Sequence, residues 1–163
     1  MIIDIETPAY WMALGAHSAQ LYGGEPYVDA HAREVVKNLV EYGFDSDDWI
    51  NAGWLHDAVE DTALTIDVVR KHFGDLTANL VWAVSGFGEN RKARIADMHR
   101  KVNEFPQAAI LKTADRIHNM ESARALPDQG LYKMYLKEHA AFMALVALHI
   151  PTAMLDRLTR AAA

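Results

Sequence analysis

The chain has no cysteine, which excludes disulfides and thiolate metal sites and leaves nitrogen and oxygen donors for any bound ion. It has no long hydrophobic run. The longest, Ala140 to Leu148, is nine residues, against the roughly 20 that a membrane-spanning helix needs. The start, Met1-Ile2-Ile3-Asp4-Ile5-Glu6, carries no Lys or Arg, so no secretory leader is expected and a cytoplasmic location is the default. Sustained period-2 alternation is absent, as are repeats, low-complexity stretches and linkers. Positive charge is not in surplus either. A net charge of −6 argues against a nucleic-acid polymer as partner. It leaves room for a small phosphorylated substrate, which a metal and a few local cations can hold.

What is present points to one domain of packed helices. The 163 residues are 51% hydrophobic, enough to bury a sizeable core. Thr7-Pro8 reads as a cap with a first-turn proline, opening a helix over Ala9 to Tyr22 that Gly23-Gly24-Glu25-Pro26 breaks. A second helix is expected from Asp29 to Tyr42. A third runs from Trp49 to Asp57 behind the acids Asp45, Asp47 and Asp48, whose charge suits the helix dipole. Thr65 caps a fourth that ends at Phe73-Gly74, and Asp75 to Val84 forms a fifth. Asn90 to Glu104 and Gln107 to Ala125 follow. A last helix, Leu131 to Ala162, is kinked or split by Pro151. The fold class is all-α, a helical bundle, and in such folds a metal sits in the core between facing helices.

The chemistry is concentrated in three places. His56-Asp57-Ala58-Val59-Glu60-Asp61-Thr62 sets an imidazole and three carboxylates directly after the apolar run Ala52 to Leu55. Such charge at the end of a buried helix needs a counter-charge, and a divalent cation is the simplest one. His31 opens a helical stretch with Val35, Val36, Leu39 and Val40 behind it. Lys112-Thr113-Ala114-Asp115-Arg116-Ile117-His118-Asn119-Met120 follows the apolar Ala108 to Leu111. His31, His56, Asp57 and Asp115 together suit one divalent ion of the Mn2+, Fe2+, Co2+ or Zn2+ type, with Mn2+ the favoured one. Four protein ligands leave positions for water and a substrate oxygen, as in catalytic sites. Any one of these residues alone would more plausibly be a cap or a core histidine.

These segments, with Gly24-Glu25-Pro26-Tyr27 ahead of His31, resemble the HD-domain metal phosphohydrolases. More narrowly they resemble the hydrolase domain of the RelA/SpoT group and the small alarmone hydrolases of the metazoan SpoT-homologue type, over roughly residues 10–125. The resemblance implies an HD-domain bundle and a metal-dependent (p)ppGpp-like 3′-pyrophosphohydrolase. It assigns the metal to His31, His56, Asp57 and Asp115. Water activation goes to Glu60 and Asp61, and substrate contacts to Asn119 and Ser122. Leu21 and Tyr22 stand where the family carries basic residues, one of which stacks on guanine. One extra residue separates Tyr27 from His31. Ser85-Gly86-Phe87-Gly88 replaces a Val-Thr-Lys element. Base specificity, guanine or adenine, is therefore open. The alternatives are a (p)ppApp hydrolase, an HD-domain nucleotidase or (d)NTP hydrolase, and a non-catalytic nucleotide-binding module. At 163 residues, no synthetase domain is expected.

The remaining polar residues have plainer readings. Lys112 is expected to snorkel outward, and Arg116 to pair with Glu60 or Asp61 or to touch substrate. His118 reads as structural, and His17, His72, His99, His139 and His149 as filler. Tyr132, Met134, Tyr135, Phe142 and Met143 read as packing. The segment from Arg91 to Lys101 holds five cations against Asp97. It reads first as a solvated helix face and second as a basic rim that attracts a polyphosphate.

Overall fold

The computed structural model describes residues 5–163, so residues 1–4 of the start discussed above lie outside the described residues. The chain is a bundle of helices: α1 (Pro8–Ala16), α2 (Arg33–Glu41), α3 (Asp47–Leu55), α4 (Ala58–Asp61), α5 (Ile66–Val84), α6 (Arg91–Glu104), α7 (Ala108–Ala125), α8 (Gly130–Val146) and α9 (Thr152–Ala161). α7 is central and packs on α2, α5, α8 and α9, while α3 packs on α1, α2 and α5. The core follows the apolar periodicity, with Trp54, Leu39, Leu55, Leu111, Ile117 and Phe142 buried at the helix contacts. No helix among the described residues is long and apolar enough to cross a membrane.

The expected breaks fall where the backbone needs them. Gly74 sits at φ 85° and divides α5 into the two helices expected on either side of it. Pro151 separates α8 from α9. The Thr65 hydroxyl caps α5 by accepting from the Val68 N–H at 3.4 Å. Thr7 precedes Pro8 as expected, but its hydroxyl donates to Asn51 Oδ1 at 2.7 Å and makes no capping bond.

Two elements near the site differ from expectation. α1 stops at Ala16, not Tyr22, because Leu21–Tyr22 (β1) pairs antiparallel with Glu25–Pro26 (β2). The Gly23-Gly24 turn between them has φ 60° and 93°. Positive φ at both central residues is what a type I′ hairpin turn requires. The second difference is a single π turn, Val28–Ala32, which precedes α2. There the Arg33 N–H reaches back to the Val28 carbonyl. A π turn holds one residue more than an α-helical turn, and π turns of this kind are frequent at functional sites. Farther along, Gly53 lets α3 approach α2. A Cβ at Gly53 would lie 2.8 Å from Val36 Cγ2 and 3.0 Å from Leu39 Cδ1. This contact sets the π turn and the end of α3 side by side.

Candidate metal centre

Three pieces of backbone meet at one point: the π turn, the α3–α4 junction and the middle of α7. His31 Nε2 lies 3.2 Å from His56 Nε2 and 3.2 Å from Asp115 Oδ1. His56 Nε2 lies 3.3 Å from Asp57 Oδ2 and 3.8 Å from Asp115 Oδ1, and His31 Nε2 lies 3.9 Å from Asp57 Oδ2. Ligand bonds of about 2.1 Å around one ion separate neighbouring donors by roughly 3.0–3.4 Å. The spacing, the nitrogen–oxygen donor set and the burial of His31, His56 and Asp115 fit a divalent ion. Consecutive side chains on a helix point about 100° apart. His56 and Asp57 converge because Asp57, at φ −101° and ψ −6°, ends α3 and starts α4.

Each donor is held by a second group. His56 Nδ1–H donates to the Gly53 carbonyl at 2.8 Å, which turns Nε2 toward the cluster, where its lone pair would serve an ion once the proton is displaced. His31 Nδ1 lies 2.7 Å from His118 Nδ1, and His118 Nε2 lies 3.0 Å from Ser122 Oγ. Burial and the neighbouring His31 push His118 down to about 4, so it is neutral near pH 7. With His31 Nε2 as a lone pair, its Nδ1–H donates to His118, whose Nε2–H donates to Ser122. The Tyr27 hydroxyl donates to Asp57 Oδ2 at 2.6 Å. Asp115 accepts from Lys112 Nζ at 2.8 Å and from the Asn119 amide.

The charges within the cluster balance one another. Burial disfavours a charged His56, but Asp57 and Asp115 outweigh it and lift the imidazole to about 9. Burial opposes ionisation of both acids. His56 nevertheless holds Asp57, and Lys112 with His31 holds Asp115, well below the usual carboxylate range.

Glu60 and Asp61 lie one turn beyond this cluster on α4. Glu60 Oε2 accepts from the Gly86 N–H at 2.8 Å. Burial raises its carboxyl, and that N–H draws it part of the way back. Asp61 Oδ2 accepts from Gln20 Nε2 at 3.3 Å at the solvent edge. Gly86 belongs to the Ser85-Gly86-Phe87-Gly88 element, and a Cβ there would meet the Arg94 carbonyl oxygen at 2.3 Å. Gly86→Ala is therefore expected to force the loop off α6, at about 1–3 kcal/mol. A lowered unfolding temperature together with lower turnover would check it, since Glu60 loses its donor.

Several side chains lie elsewhere than expected. Lys112 does not snorkel outward; it turns in to Asp115 because that buried carboxylate needs a cation. Arg116 pairs with neither Glu60 nor Asp61. It donates to Glu138 Oε2 at 3.1 Å and lies 4.7 Å from the ring centres of Tyr135 and Phe142. His118 is structural as read, in that it orients His31. Tyr22 lies with its ring 4.8 Å from that of His31 and its hydroxyl 3.0 Å from Asn119 Oδ1. Leu21, one residue earlier on the strand, is 64% exposed and points to the other face. Asn119 and Ser122 stand one turn apart on α7 beside Tyr22. The sequence reading missed Tyr27, Gln20, Glu138 and Gly86. It took His17 as filler, although that ring stacks on Tyr27 at 4.3 Å. The basic segment divides. Lys101 is buried on the Ser85 carbonyl, Arg100 pairs with Asp97 and Glu104, and Arg91 and Arg94 line a cavity next to Glu60.

Comparison with known proteins fits this architecture. An HD-domain family model matches residues 9–147. A probable GTP pyrophosphokinase of Mycobacterium leprae is 33% identical over 138 residues, covering 78% of this chain and 17% of that protein. The guanosine-3′,5′-bis(diphosphate) 3′-pyrophosphohydrolase of Aquifex aeolicus is 35% identical over 120 residues, covering 70% of this chain and 17% of that protein. The chain thus spans less than a fifth of the length of these curated relatives. The solved structure of a metazoan SpoT orthologue that hydrolyses ppGpp superposes with a TM-score of 0.78 at 22% identity, over 98% of this chain and 96% of that one. With the donor cluster at the meeting of the π turn, α3 and α7, and with the family match over nearly the whole bundle, this chain belongs to the HD-domain family.

Proposed function

We propose that this single domain is a Mn2+-dependent phosphohydrolase that releases pyrophosphate from the 3′ position of a (p)ppGpp-like nucleotide. It acts in the cytoplasm on a small soluble substrate, with no nucleic-acid polymer or membrane as partner. The observation that carries the reading is the juxtaposition of four convergent donors with a raised-pKa carboxyl one turn away. His31, His56, Asp57 and Asp115 would hold the ion. When bound, it supplies Lewis-acid polarisation of the phosphate and a water acidified at neutral pH. Glu60, fixed by the Gly86 N–H, takes the proton from the attacking water, and Asp61 at the rim passes it to solvent. The names of the Aquifex aeolicus relative and of the metazoan SpoT orthologue, both hydrolases of ppGpp, support this substrate class.

The Glu60–Asp61 pair also favours an enzyme over a nucleotide sensor, which has no use for a base beside the donors. A Mn2+-supplemented assay of phosphate and pyrophosphate release across ppGpp, ppApp, dNTPs and nucleoside monophosphates tests the assignment. Pyrophosphate from the 3′-diphosphates is expected. Turnover confined to dNTPs would replace the reading with a triphosphohydrolase.

Base preference should be weak. Leu21 offers no cation to stack on a base, a contribution of roughly 0.5–2 kcal/mol. Tyr22 already covers His31 with its ring. The kcat/KM values for ppGpp and ppApp are therefore expected within about thirtyfold of each other, the most that one stacking cation is worth. A strong guanine preference would mean that another part of the site reads the base edges.

A further inference from the structure

The cavity beside Glu60, about 210 Å³, is lined by Gly86, Arg91, Arg94, Lys112 and Arg116 as well as Glu60. It is many times the roughly 30 Å³ of one water. We propose that this cavity is the subsite for the terminal phosphate of the substrate's diphosphate group, with Arg94 as the residue that selects a diphosphate over a monophosphate. The proposal rests on the hydrolase reading above.

The charges around the cavity leave a cation over. Arg91 and Arg116 share the single carboxylate of Glu138, at 2.7 Å and 3.1 Å. Lys112 is engaged by Asp115 at 2.8 Å. Arg94 makes no ion pair among the described residues, and its side chain is exposed at the cavity wall. The position of Arg94 is also built. α6 starts at the Asn90 cap, whose Oδ1 accepts from the Ala93 N–H at 3.0 Å. The glycine at 86 lets the loop lie against the Arg94 backbone. The plainer reading of the basic segment covers Arg100, whose partners are Asp97 and Glu104, while Arg94, exposed but lining the cavity, is the residue to which the second reading, a basic rim, applies.

Direction along α7 says which end of a substrate comes here. Lys112, Asp115, Asn119 and Ser122 follow one another at spacings of three or four, a single stripe on the helix. Lys112 both lines the cavity and bonds Asp115, so the cavity opens one side chain from the donor cluster. Asn119, Ser122 and Tyr22 lie on the other side of Asp115. A nucleotide whose reacting phosphate lies at the cluster, with its sugar toward Asn119, directs the next phosphate toward Lys112 and Arg94. Guanidinium groups with unused donors suit such an oxyanion.

The test titrates inorganic pyrophosphate into Mn2+-loaded protein by calorimetry and, separately, measures KM and kcat for ppGpp. Arg94→Gln should weaken pyrophosphate binding roughly tenfold, the scale of one charge-assisted hydrogen bond. Orthophosphate binding should stay unchanged, as it reaches only the donor cluster. Arg94→Lys should recover part of the loss. Arg100→Gln, on the solvated face, should match wild type. Equal losses in Arg94→Gln and Arg100→Gln, or no loss in either, overturn the proposal, as does wild-type protein that binds no pyrophosphate. Arg94-dependent pyrophosphate binding in a protein that leaves ppGpp intact keeps the anion subsite and removes the hydrolase reading instead.

Discussion

Glu60→Gln is expected to keep the metal and to lower turnover by roughly 10²–10⁴-fold, the range for a lost general base. The amide is nearly isosteric, and its oxygen can still accept from the Gly86 N–H, so the loop and the donor cluster should be undisturbed. What disappears is a carboxyl that burial has moved toward the working pH, where a base is most effective. The α4 turn places it beside the cluster, while its backbone stays fixed by the Asp61 N–H bond to the Asp57 carbonyl at 2.9 Å. The check is kcat together with metal content on the same preparation. Normal turnover in Glu60→Gln would transfer the role to Asp61, which Gln20 holds at the rim.

The donor set was readable because its residues are packed into short segments whose local structure is unambiguous. Asp115 follows an apolar helix start, so helical periodicity turns it toward the core, while His56 and Asp57 are adjacent at the end of the apolar α3 and need the α3–α4 break to converge. Tertiary pairings were not readable in the same way. Arg116 finds Glu138 22 residues downstream on another helix, and no local spacing separates that partner from Glu60. Lys112 turned inward because Asp115 is buried, a fact about packing and not about its own neighbours. The π turn escaped because α and π geometry use the same residues. The hairpin escaped because two-residue strands are too short to show alternation, although Gly23-Gly24 carried its turn. The role of Gly86 depends on how closely Arg94 passes, which only the packed structure shows.

His56→Ala is expected to strip the ion and abolish turnover, and the pH dependence of metal binding carries the finer test. Without metal, the cluster raises His56 from 6.5 to about 9, so the folded protein holds a proton there at neutral pH. That proton is shared by the cluster of His56, Asp57 and Asp115 and is not a property of one ring. A raised folded pKa stabilises the metal-free fold fully below 6.5, and this stabilisation is lost as pH rises through about 9. Metal binding needs the neutral imidazole and must expel the proton, so affinity should rise about tenfold per pH unit until His56 deprotonates. The two effects run in opposite directions with pH. The metal-induced rise in unfolding temperature should therefore grow between pH 6.5 and 9, and chelator should remove it. In His56→Ala both the rise and its pH dependence should vanish. Full metal content in that variant, or a metal-induced shift that is flat with pH, would remove His56 from the metal centre.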